Sequence, residues 1–240
     1  MHAALAGCAL LAPHARARGP AARFAGEFYP MFALLALYTA IGALNAGAGV
    51  AHDAAVQRWE QAVFGGQPAR AWIRAWPWPF LSAILHTAYL SYYAIVAAAP
   101  LALWTTGRRD AARRTVLAVM ATFYLCYWIF LVFPVAGPRY AFEPARNAAT
   151  AVAPAVLTQA LLERGAAWGT AFPSSHVAAA LAASVSAARG WPALGLALVP
   201  AALLLSLGTV YGQLHYAVDA LAGAALALAV LGLHRPRAAD

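Results

Sequence analysis

The chain has 240 residues, of which 63% are hydrophobic and only 10% are charged; an ordinary soluble domain, with about a quarter of its residues charged, is therefore excluded. The net charge is +8, but no basic stripe interleaves with aromatic residues, so we expect no nucleic-acid partner. Attraction of the arginines to anionic lipid headgroups explains this charge better. The composition predicts an all-α, polytopic membrane protein.

Six apolar segments divide the chain. A bilayer core about 30 Å thick needs roughly 20 apolar residues per helix. Segments that approach this length lie at 28–50, 80–104, 115–135, 173–189, 192–211 and 214–233. We therefore expect a six-transmembrane-helix bundle that forms one domain over 26–234, with a cytoplasmic N-terminal segment over 1–25 and a cytoplasmic tail over 235–240.

Two long connections separate the apolar segments. The first, 51–79, is rich in tryptophan, and 54–64 within it is expected to form an interfacial helix with an aromatic anchor. The second, 136–171, is long enough to indicate structure or a function of its own. Within it, 154–164 is expected to form a helix that lies over a site.

The arginines predict the orientation, because cytoplasmic loops carry an excess of positive charge. Alternating the six segments places ten arginines on one side and six on the other. The first group is Arg16, Arg18, Arg23, Arg108, Arg109, Arg113, Arg114, Arg189, Arg235 and Arg237; the second is Arg58, Arg70, Arg74, Arg139, Arg146 and Arg164. We expect both termini to be cytoplasmic and the second side to face outward from the inner (plasma) membrane.

His215 and Asp219 are four residues apart, so they would share one face of a helix that begins near residue 214. The carboxylate could accept a hydrogen bond from one ring nitrogen, which fixes the tautomer and leaves the other nitrogen free. A free ring nitrogen suits a nucleophile. A pair that merely satisfies itself between packed helices is the structural alternative, and from the pair alone both interpretations stand.

The stretch Phe172-Pro173-Ser174-Ser175-His176 precedes an alanine-rich apolar run. Serine is a preferred helix N-cap, and the first turn of a helix offers free N–H groups and a positive dipole end to phosphate. His176, one turn in, could donate a proton to a leaving oxygen. Taken alone, the stretch is more often an ordinary helix start with an interfacial histidine.

Arg139 follows the third apolar segment, behind prolines and a glycine that end a helix. Its guanidinium could grip phosphate through two parallel N–H contacts; in isolation, an arginine at the level of the lipid headgroups is the commoner case. Arg139, His176, His215 and Asp219 all fall on the outward side. The arginine count did not require this agreement, so it supports a common site.

The remaining polar residues are given structural interpretations. His86 is expected to be a satisfied core histidine, and His52 and Asp53 are expected at the outer interface. Glu163 is expected in a solvated loop, with contact to a polar acceptor as the alternative. Cys8 and Cys126 form no disulfide framework, no carboxylate cluster indicates a metal site, and we expect no cofactor.

Together, the three polar stretches resemble the type 2 phosphatidic acid phosphatase superfamily over about residues 55–230. The family pattern is Lys-x6-Arg-Pro, then Pro-Ser-Gly-His, then Ser-Arg-x5-His-x3-Asp. The matching positions are Arg139 in the first motif, Pro173, Ser174 and His176 in the second, and His215 and Asp219 in the third.

The chain departs from this pattern where cations are usual. Val132 replaces the lysine of the first motif and Thr209 the arginine of the third, while Tyr140 follows the first-motif arginine and Ser175 replaces glycine. These changes, with His-Tyr-x-x-Asp-x-x-Ala-Gly over 215–223, are more similar to the branch that contains inositol phosphorylceramide synthases.

The resemblance implies specific roles. His215 would attack phosphorus and form a phosphohistidine, Asp219 would orient His215, and His176 would protonate the leaving alcohol. Arg139, Ser174 and Ser175 would hold the phosphate oxygens, without a metal.

Three functions remain open. The first is a lipid-phosphate phosphatase acting on phosphorylated lipids at the outer leaflet. The second is a phosphotransferase of the inositol phosphorylceramide synthase type, which moves a phospho-headgroup to an alcohol. The third is a non-catalytic lipid-binding or transport protein, which the missing cations at Val132 and Thr209 keep open.

Overall fold

The computed structural model describes residues 19–233, which are almost entirely helical and contain no β-strand. The helices are α1 (Pro20–Ala48), α2 (Asp53–Phe64), α3 (Pro68–Ala75), α4 (Pro79–Leu90), α5 (Tyr92–Thr105), α6 (Arg109–Val132), α7 (Pro138–Ala141), α8 (Ala153–Gly165), α9 (Ser175–Gly190), α10 (Pro192–Tyr211) and α11 (Ala217–Leu233), with a 3₁₀ helix at Ala148–Ala151. Most of the expected N-terminal segment and the expected tail lie outside the described residues, while α1 already begins at Pro20.

Every predicted apolar segment contains helix, and α10 has the predicted bounds. By length and composition, α1, α6 and α10 could each cross a membrane, and α4 with α5 would add a fourth span if the pair is counted as one. Helix α11 is apolar but shorter, and α9 has only 16 residues. Both begin later than predicted, because the residues before them form loops.

The predicted continuous helix over 80–104 is bent by 45° between α4 and α5. The hydroxyl of Ser91 donates to the carbonyl of Ala88 at 2.6 Å, and a serine that bonds back to its own helix is a known cause of bending. On either side of the bend, Tyr89 and Tyr92 pack against His176, with ring centroids 5.2 and 4.5 Å away. The bend thus brings two tyrosines to the start of α9.

Helix α9 lies at the centre of the bundle, where it contacts α5, α6, α10 and α11. Its alanines from Ala178 to Ala183 are all fully buried, and small side chains allow helices to approach closely. A side chain at Gly223 of α11 would collide with the carbonyl oxygen of Ser174. The close approach of α11 to the start of α9 therefore requires this glycine.

Opposite ends of α6 and α9 have different chemistry. At the N-terminal end of α6, the Arg108 guanidinium lies 4.6 Å from the ring centre of Trp191, which follows α9. Nearby, Arg113 and the indole N–H of Trp104 both donate to the buried carboxylate of Glu27, at 2.8 and 3.0 Å. The other end of α6 and α9 carries the polar motifs.

Helix α2 is the helix expected at 54–64, and it holds a buried carboxyl group. Glu60 is fully buried, and its two oxygens accept hydrogen bonds from the backbone N–H groups of Ala69 and Val218, both at 3.4 Å. This side chain therefore ties α2 to the first turns of α3 and α11. Burial, reinforced by the charge of Asp219, raises the pKa of Glu60 to about 7.

The raised pKa of Glu60 predicts a pH-dependent stability. Because the folded-state pKa lies above the ordinary value, the stabilisation is fully present below about pH 4.5 and is lost as pH rises through about 7. We expect the Tm of the wild type to fall between about pH 5 and about pH 8 relative to Glu60→Gln. A difference of about 1 kcal/mol shifts the Tm of a domain of this size by about 2–4 °C. The Tm values are measured by tryptophan fluorescence in detergent at each pH. The same dependence of Tm on pH in the two proteins would contradict the prediction.

Candidate active site

Three backbone segments meet at one end of the bundle: 134–139 after α6, 170–174 before α9, and 212–216 between α10 and α11. The Ala171 N–H donates to the carbonyl of Val135 at 2.9 Å, and the Ser174 N–H donates to the carbonyl of Asp219 at 2.9 Å. The His215 N–H donates to the carbonyl of Thr209 at 3.0 Å. Each predicted motif is therefore fixed to another part of the site by main-chain hydrogen bonds.

Asp53 holds the segment that carries Arg139. Its two carboxylate oxygens each accept a backbone N–H, from Ala136 and Gly137, at 2.8 Å. The hydroxyl of Tyr216 also donates to Asp53, at 3.0 Å. Asp53 was expected only at an interface, and its structural role was missed. Since charge-assisted hydrogen bonds of this kind are among the stronger ones, Asp53 joins the first motif to the third.

His176 and His215 face each other. Nδ1 of His176 lies 3.4 Å from Nε2 of His215, and the ring centroids are 5.5 Å apart. His215 is buried, whereas His176 keeps some exposure. Both side chains line a cavity of about 40 Å³. The structure therefore brings together the two histidines that the sequence singled out.

The carbonyl of Ala171 determines the tautomer of His215. It lies 3.0 Å from Nδ1 of His215, and because a carbonyl oxygen can only accept, Nδ1 carries the ring proton. In the neutral ring, the lone pair is then on Nε2, which points towards His176. This leaves an unprotonated nitrogen facing the cavity, as a nucleophile requires.

Asp219 lies close to His215, but not by way of a shared helix face. Helix α11 begins at Ala217, so His215 precedes it, and the prediction of a helix from 214 was wrong. One Asp219 oxygen is 3.4 Å from Nδ1 of His215 and accepts the backbone N–H of Tyr216 at 2.9 Å. The other is buried without a hydrogen-bond partner among the described residues. The carboxylate therefore supports Nδ1 together with the Ala171 carbonyl.

Arg139 reaches the same small cavity as the histidines. Its Nη1 is buried and has no hydrogen-bond partner within residues 19–233, and its guanidinium lies 5.2 Å from the ring centre of Tyr140. A buried guanidinium nitrogen without a partner is costly. Arg139 thus offers an unused donor next to the two histidines.

The two serines of the second motif are placed differently from this arginine. Ser174 is the N-cap of α9, as expected, because its hydroxyl accepts the backbone N–H of Val177 at 3.4 Å. Ser174 is fully buried and is not part of the lining of the small cavity. Ser175 lies with His176 on the wall of a neighbouring cavity. Neither serine shares the lining of the small cavity with Arg139, and their phosphate-binding role stays a prediction.

Val132 and Thr209 occupy the two positions at which the family pattern has a cation, and neither lines the small cavity. The side chain of Val132 is 64% exposed at the end of α6. Thr209 is buried, and its hydroxyl donates to the carbonyl of Ser206 at 2.7 Å. The hydroxyl of Tyr211 donates to the carbonyl of Trp76 at 2.7 Å. Tyr140, which follows the first-motif arginine, lines the cavity of Arg139.

A tyrosine to which the sequence interpretation gave no role in the site lies beside His176. The hydroxyl of Tyr89 lies 3.2 Å from Nε2 of His176, and Tyr89 lines the small cavity. The tyrosine-rich stretch over 89–93 was visible in the sequence. Only the packed structure, with its bend at Ser91, determines which of its hydroxyl groups reaches His176.

Two larger cavities adjoin the small one. An apolar cavity of about 390 Å³ shares His176 with it and is lined mainly by aliphatic and aromatic side chains, among them Leu34, Tyr92 and Phe123. A more polar cavity of about 300 Å³ shares Arg139 with it and includes Glu163. Helix α8, the helix expected at 154–164, contributes to both walls.

His86 and Glu163 both belong to the polar cavity. Nδ1 of His86 lies 2.9 Å from the carbonyl of Ser82, which confirms the satisfied core histidine. Glu163 is exposed, as expected, but it lies on helix α8 and not in a loop, and it belongs to the cavity that includes Arg139. Within residues 19–233, no three His, Cys, Asp or Glu side chains are grouped in a way that could hold a metal ion.

Comparison with known proteins agrees with the motifs. A family model described as the PAP2 superfamily matches residues 54–233, three quarters of the chain and all three polar stretches. No curated protein and no solved structure matches the chain. Membership of this superfamily suggests phosphatase or phosphotransferase activity on phosphorylated lipids. The chain belongs to the PAP2 superfamily.

Proposed function

We propose that the chain is an integral membrane lipid-phosphate phosphatase that acts through a phosphohistidine on His215 and needs no metal. The observation that carries this proposal is the approach of His215 Nε2 to His176 Nδ1, at 3.4 Å, beside Arg139. A nucleophile and a proton donor on one cavity wall, next to a free guanidinium, suit phosphoryl transfer.

In the first step, the lone pair on Nε2 of His215 forms a bond to phosphorus, and the bond from phosphorus to the lipid oxygen breaks. Doubly protonated His176 gives its Nδ1 proton to that oxygen and becomes neutral. The positive charge that develops on the His215 ring is stabilised at Nδ1 by the Ala171 carbonyl and Asp219, at 3.0 and 3.4 Å. Because the two histidines are held in place before the reaction begins, the activation barrier is lower.

In the second step, water attacks phosphorus and gives a proton to His176. The bond from phosphorus to Nε2 breaks, its electron pair returns to His215, and inorganic phosphate leaves. The enzyme is then in its starting protonation state. His176 thus serves as acid and then as base.

Arg139 is the phosphate-binding cation in this proposal, because its buried Nη1 has no partner among the described residues. The 390 Å³ apolar cavity beside His176 is suited to the hydrocarbon part of the substrate. Ser174 and Ser175 were expected to bind phosphate as well. In this geometry their support is indirect, through the start of α9 on which His176 lies.

The proposed setting is the inner membrane, with six spans, cytoplasmic termini, and a catalytic domain over 26–234 whose site opens at the outer leaflet. The arginine count supports this orientation. The four arginines between residues 108 and 114, at the N-terminal end of α6, and the candidate site lie at opposite ends of that helix. Helix α9 is shorter than the roughly 20 residues that a span needs. It can still lie inside the bundle, because other helices surround it.

Transfer to an alcohol is the second candidate, and the polar cavity favours it. This cavity adjoins Arg139, has a volume of about 300 Å³, and includes Gln159 and Glu163, whose oxygens could accept hydrogen bonds from hydroxyl groups. An alcohol held there could replace water in the second step. This would fit the inositol phosphorylceramide synthase branch that the third motif resembles.

Trapping the phosphoenzyme tests the proposal. Purified full-length protein in detergent, with a chelator present, is mixed with a lipid phosphate that carries a radiolabel on phosphorus. We expect acid-labile label on the peptide containing His215, followed by free phosphate. Label that moves to an added alcohol would instead favour transfer. Absence of both label and product with every lipid phosphate tried would favour a non-catalytic lipid-binding or transport protein.

A further inference from the structure

A chain of hydrogen bonds extends beyond the histidine pair to Tyr89. The carbonyl of Ala171 lies 3.0 Å from Nδ1 of His215, and Nε2 of His215 lies 3.4 Å from Nδ1 of His176. Nε2 of His176 in turn lies 3.2 Å from the hydroxyl of Tyr89. Three consecutive contacts therefore connect a main-chain carbonyl to a buried phenol.

The carbonyl at one end determines the direction of every hydrogen bond in this chain. Because Ala171 can only accept, His215 carries its proton on Nδ1 and presents the lone pair of Nε2. A donor opposite that lone pair must come from Nδ1 of His176, which leaves the lone pair of His176 on Nε2. The hydroxyl of Tyr89 then donates to that nitrogen.

We propose that Tyr89 is the positioning residue of the proton donor, which holds the His176 ring with Nδ1 directed at the reacting atoms. This inference rests on the proposed function, in which His176 protonates the leaving oxygen. Tyr89 acts through His176 and does not touch the substrate oxygen in this account. The phenol is buried and lies at the end of α4, next to the bend at Ser91, so its own position is restricted.

A hydroxyl group suits this position because it can both donate and accept. It donates to Nε2 of neutral His176. A bound anionic phosphate favours uptake of a second proton from solvent at Nε2; before the Nδ1 proton is given up, Nε2 then carries a hydrogen and the same hydroxyl accepts it. The ring therefore keeps one orientation through the change in protonation, which a side chain that only donates or only accepts would not provide.

Tyr92 is the matched control. Its ring also packs on His176, with centroids 4.5 Å apart, but its hydroxyl makes no hydrogen bond to that histidine. Replacing either tyrosine by phenylalanine removes one oxygen and keeps the ring. Only Tyr89→Phe removes the hydrogen bond to Nε2 of His176.

The test compares two phosphate esters in single-turnover formation of the phosphoenzyme by the full-length protein. An alkyl ester releases an alkoxide that needs a proton, whereas a nitrophenyl ester releases a phenolate that does not. For Tyr89→Phe we expect the alkyl ester to react about 10- to 100-fold more slowly, a part of the usual contribution of general acid catalysis. The nitrophenyl ester should react within about twofold of the wild-type rate, because that leaving group does not depend on the acid.

Tyr92 also lines the apolar cavity, so Tyr92→Phe is expected to keep the wild-type ratio of the two rates, whatever its effect on substrate binding. Equal losses with both esters for Tyr89→Phe would show a merely structural role and overturn the inference, as would wild-type rates with both. In either of those cases the wild type still forms the phosphohistidine, so the proposed function would survive. A wild type without phosphohistidine would contradict the proposed function itself.

A second measurement tests the inference without turnover. NMR of the histidine ring nitrogens in the full-length protein reports which nitrogen carries hydrogen. We expect His176 to be the Nδ1–H tautomer in the wild type and in Tyr92→Phe, and to become a mixture of tautomers in Tyr89→Phe. An Nε2–H tautomer in the wild type, or no change in Tyr89→Phe, would overturn the proposed hydrogen-bond direction.

Discussion

Replacing His215 with asparagine is expected to abolish phosphoenzyme formation and to lower turnover by about 10⁴-fold or more, as for other enzymes that lose a catalytic nucleophile. The amide of asparagine can still donate to the carbonyl of Ala171, which His215 contacts at 3.0 Å, so the loop keeps a partner. What is lost is the lone pair at Nε2. The measurement is single-turnover labelling with a lipid phosphate, together with release of free phosphate.

His52→Asn is the control for this change. His52 stacks on Phe133 with ring centroids 4.4 Å apart, and it lines none of the three cavities described above. We expect this variant to label and turn over like the wild type. Normal turnover by His215→Asn, in a preparation that melts like the wild type, would refute the assignment of the nucleophile.

Replacing Arg139 with glutamine is expected to lower kcat/KM for lipid phosphates by about 10²- to 10³-fold, the usual loss when one electrostatic contact to a transition state is removed. The buried Nη1 has no partner among the described residues, so little of the fold should depend on it. Arg139→Lys should recover only part of the activity, because an ammonium group lacks the planar, two-pronged geometry of guanidinium.

Arg146→Gln is the control for the change in charge. Arg146 belongs to the same connection between α6 and α9, is exposed, and lines none of the three cavities. Steady-state kinetics with a lipid phosphate should show wild-type values for this variant. Similar losses for Arg139→Gln and Arg146→Gln would point to long-range attraction of the anionic substrate, and would contradict a specific role for Arg139.

Much of the helical framework could be predicted because its signals are local. Helix α10 begins at Pro192 and ends at Tyr211, as expected, since a charge, a glycine and a tryptophan precede it and Gly212 follows. A serine N-cap within 172–176 was also predicted, and Ser174 has this role through its bond to Val177. In these cases a few neighbouring residues suffice to determine where the helix begins or ends.

The bend in the second apolar segment could not be read in the same way. Nothing in the hydropathy of 80–104 distinguishes a straight helix from two helices that meet at Ser91. The starts of α9 and α11 were placed too early for a related reason. Residues before them are apolar enough to extend a helix, but their backbone groups pair with distant segments, as Ser174 does with Asp219.

By itself, the sequence determined the helical, apolar character of the chain and the motifs that place it in its family, and it predicted that His176, His215, Asp219 and Arg139 belong to one site. Composition, periodicity and motif order are properties of the chain, and they are sufficient for these conclusions. Only the tertiary structure decided which ring nitrogens face each other, that Asp53 holds the Arg139 segment, and that Tyr89 reaches His176. Hydrogen-bond direction depends on angles and distances between residues far apart in sequence, and these exist only once the helices are packed.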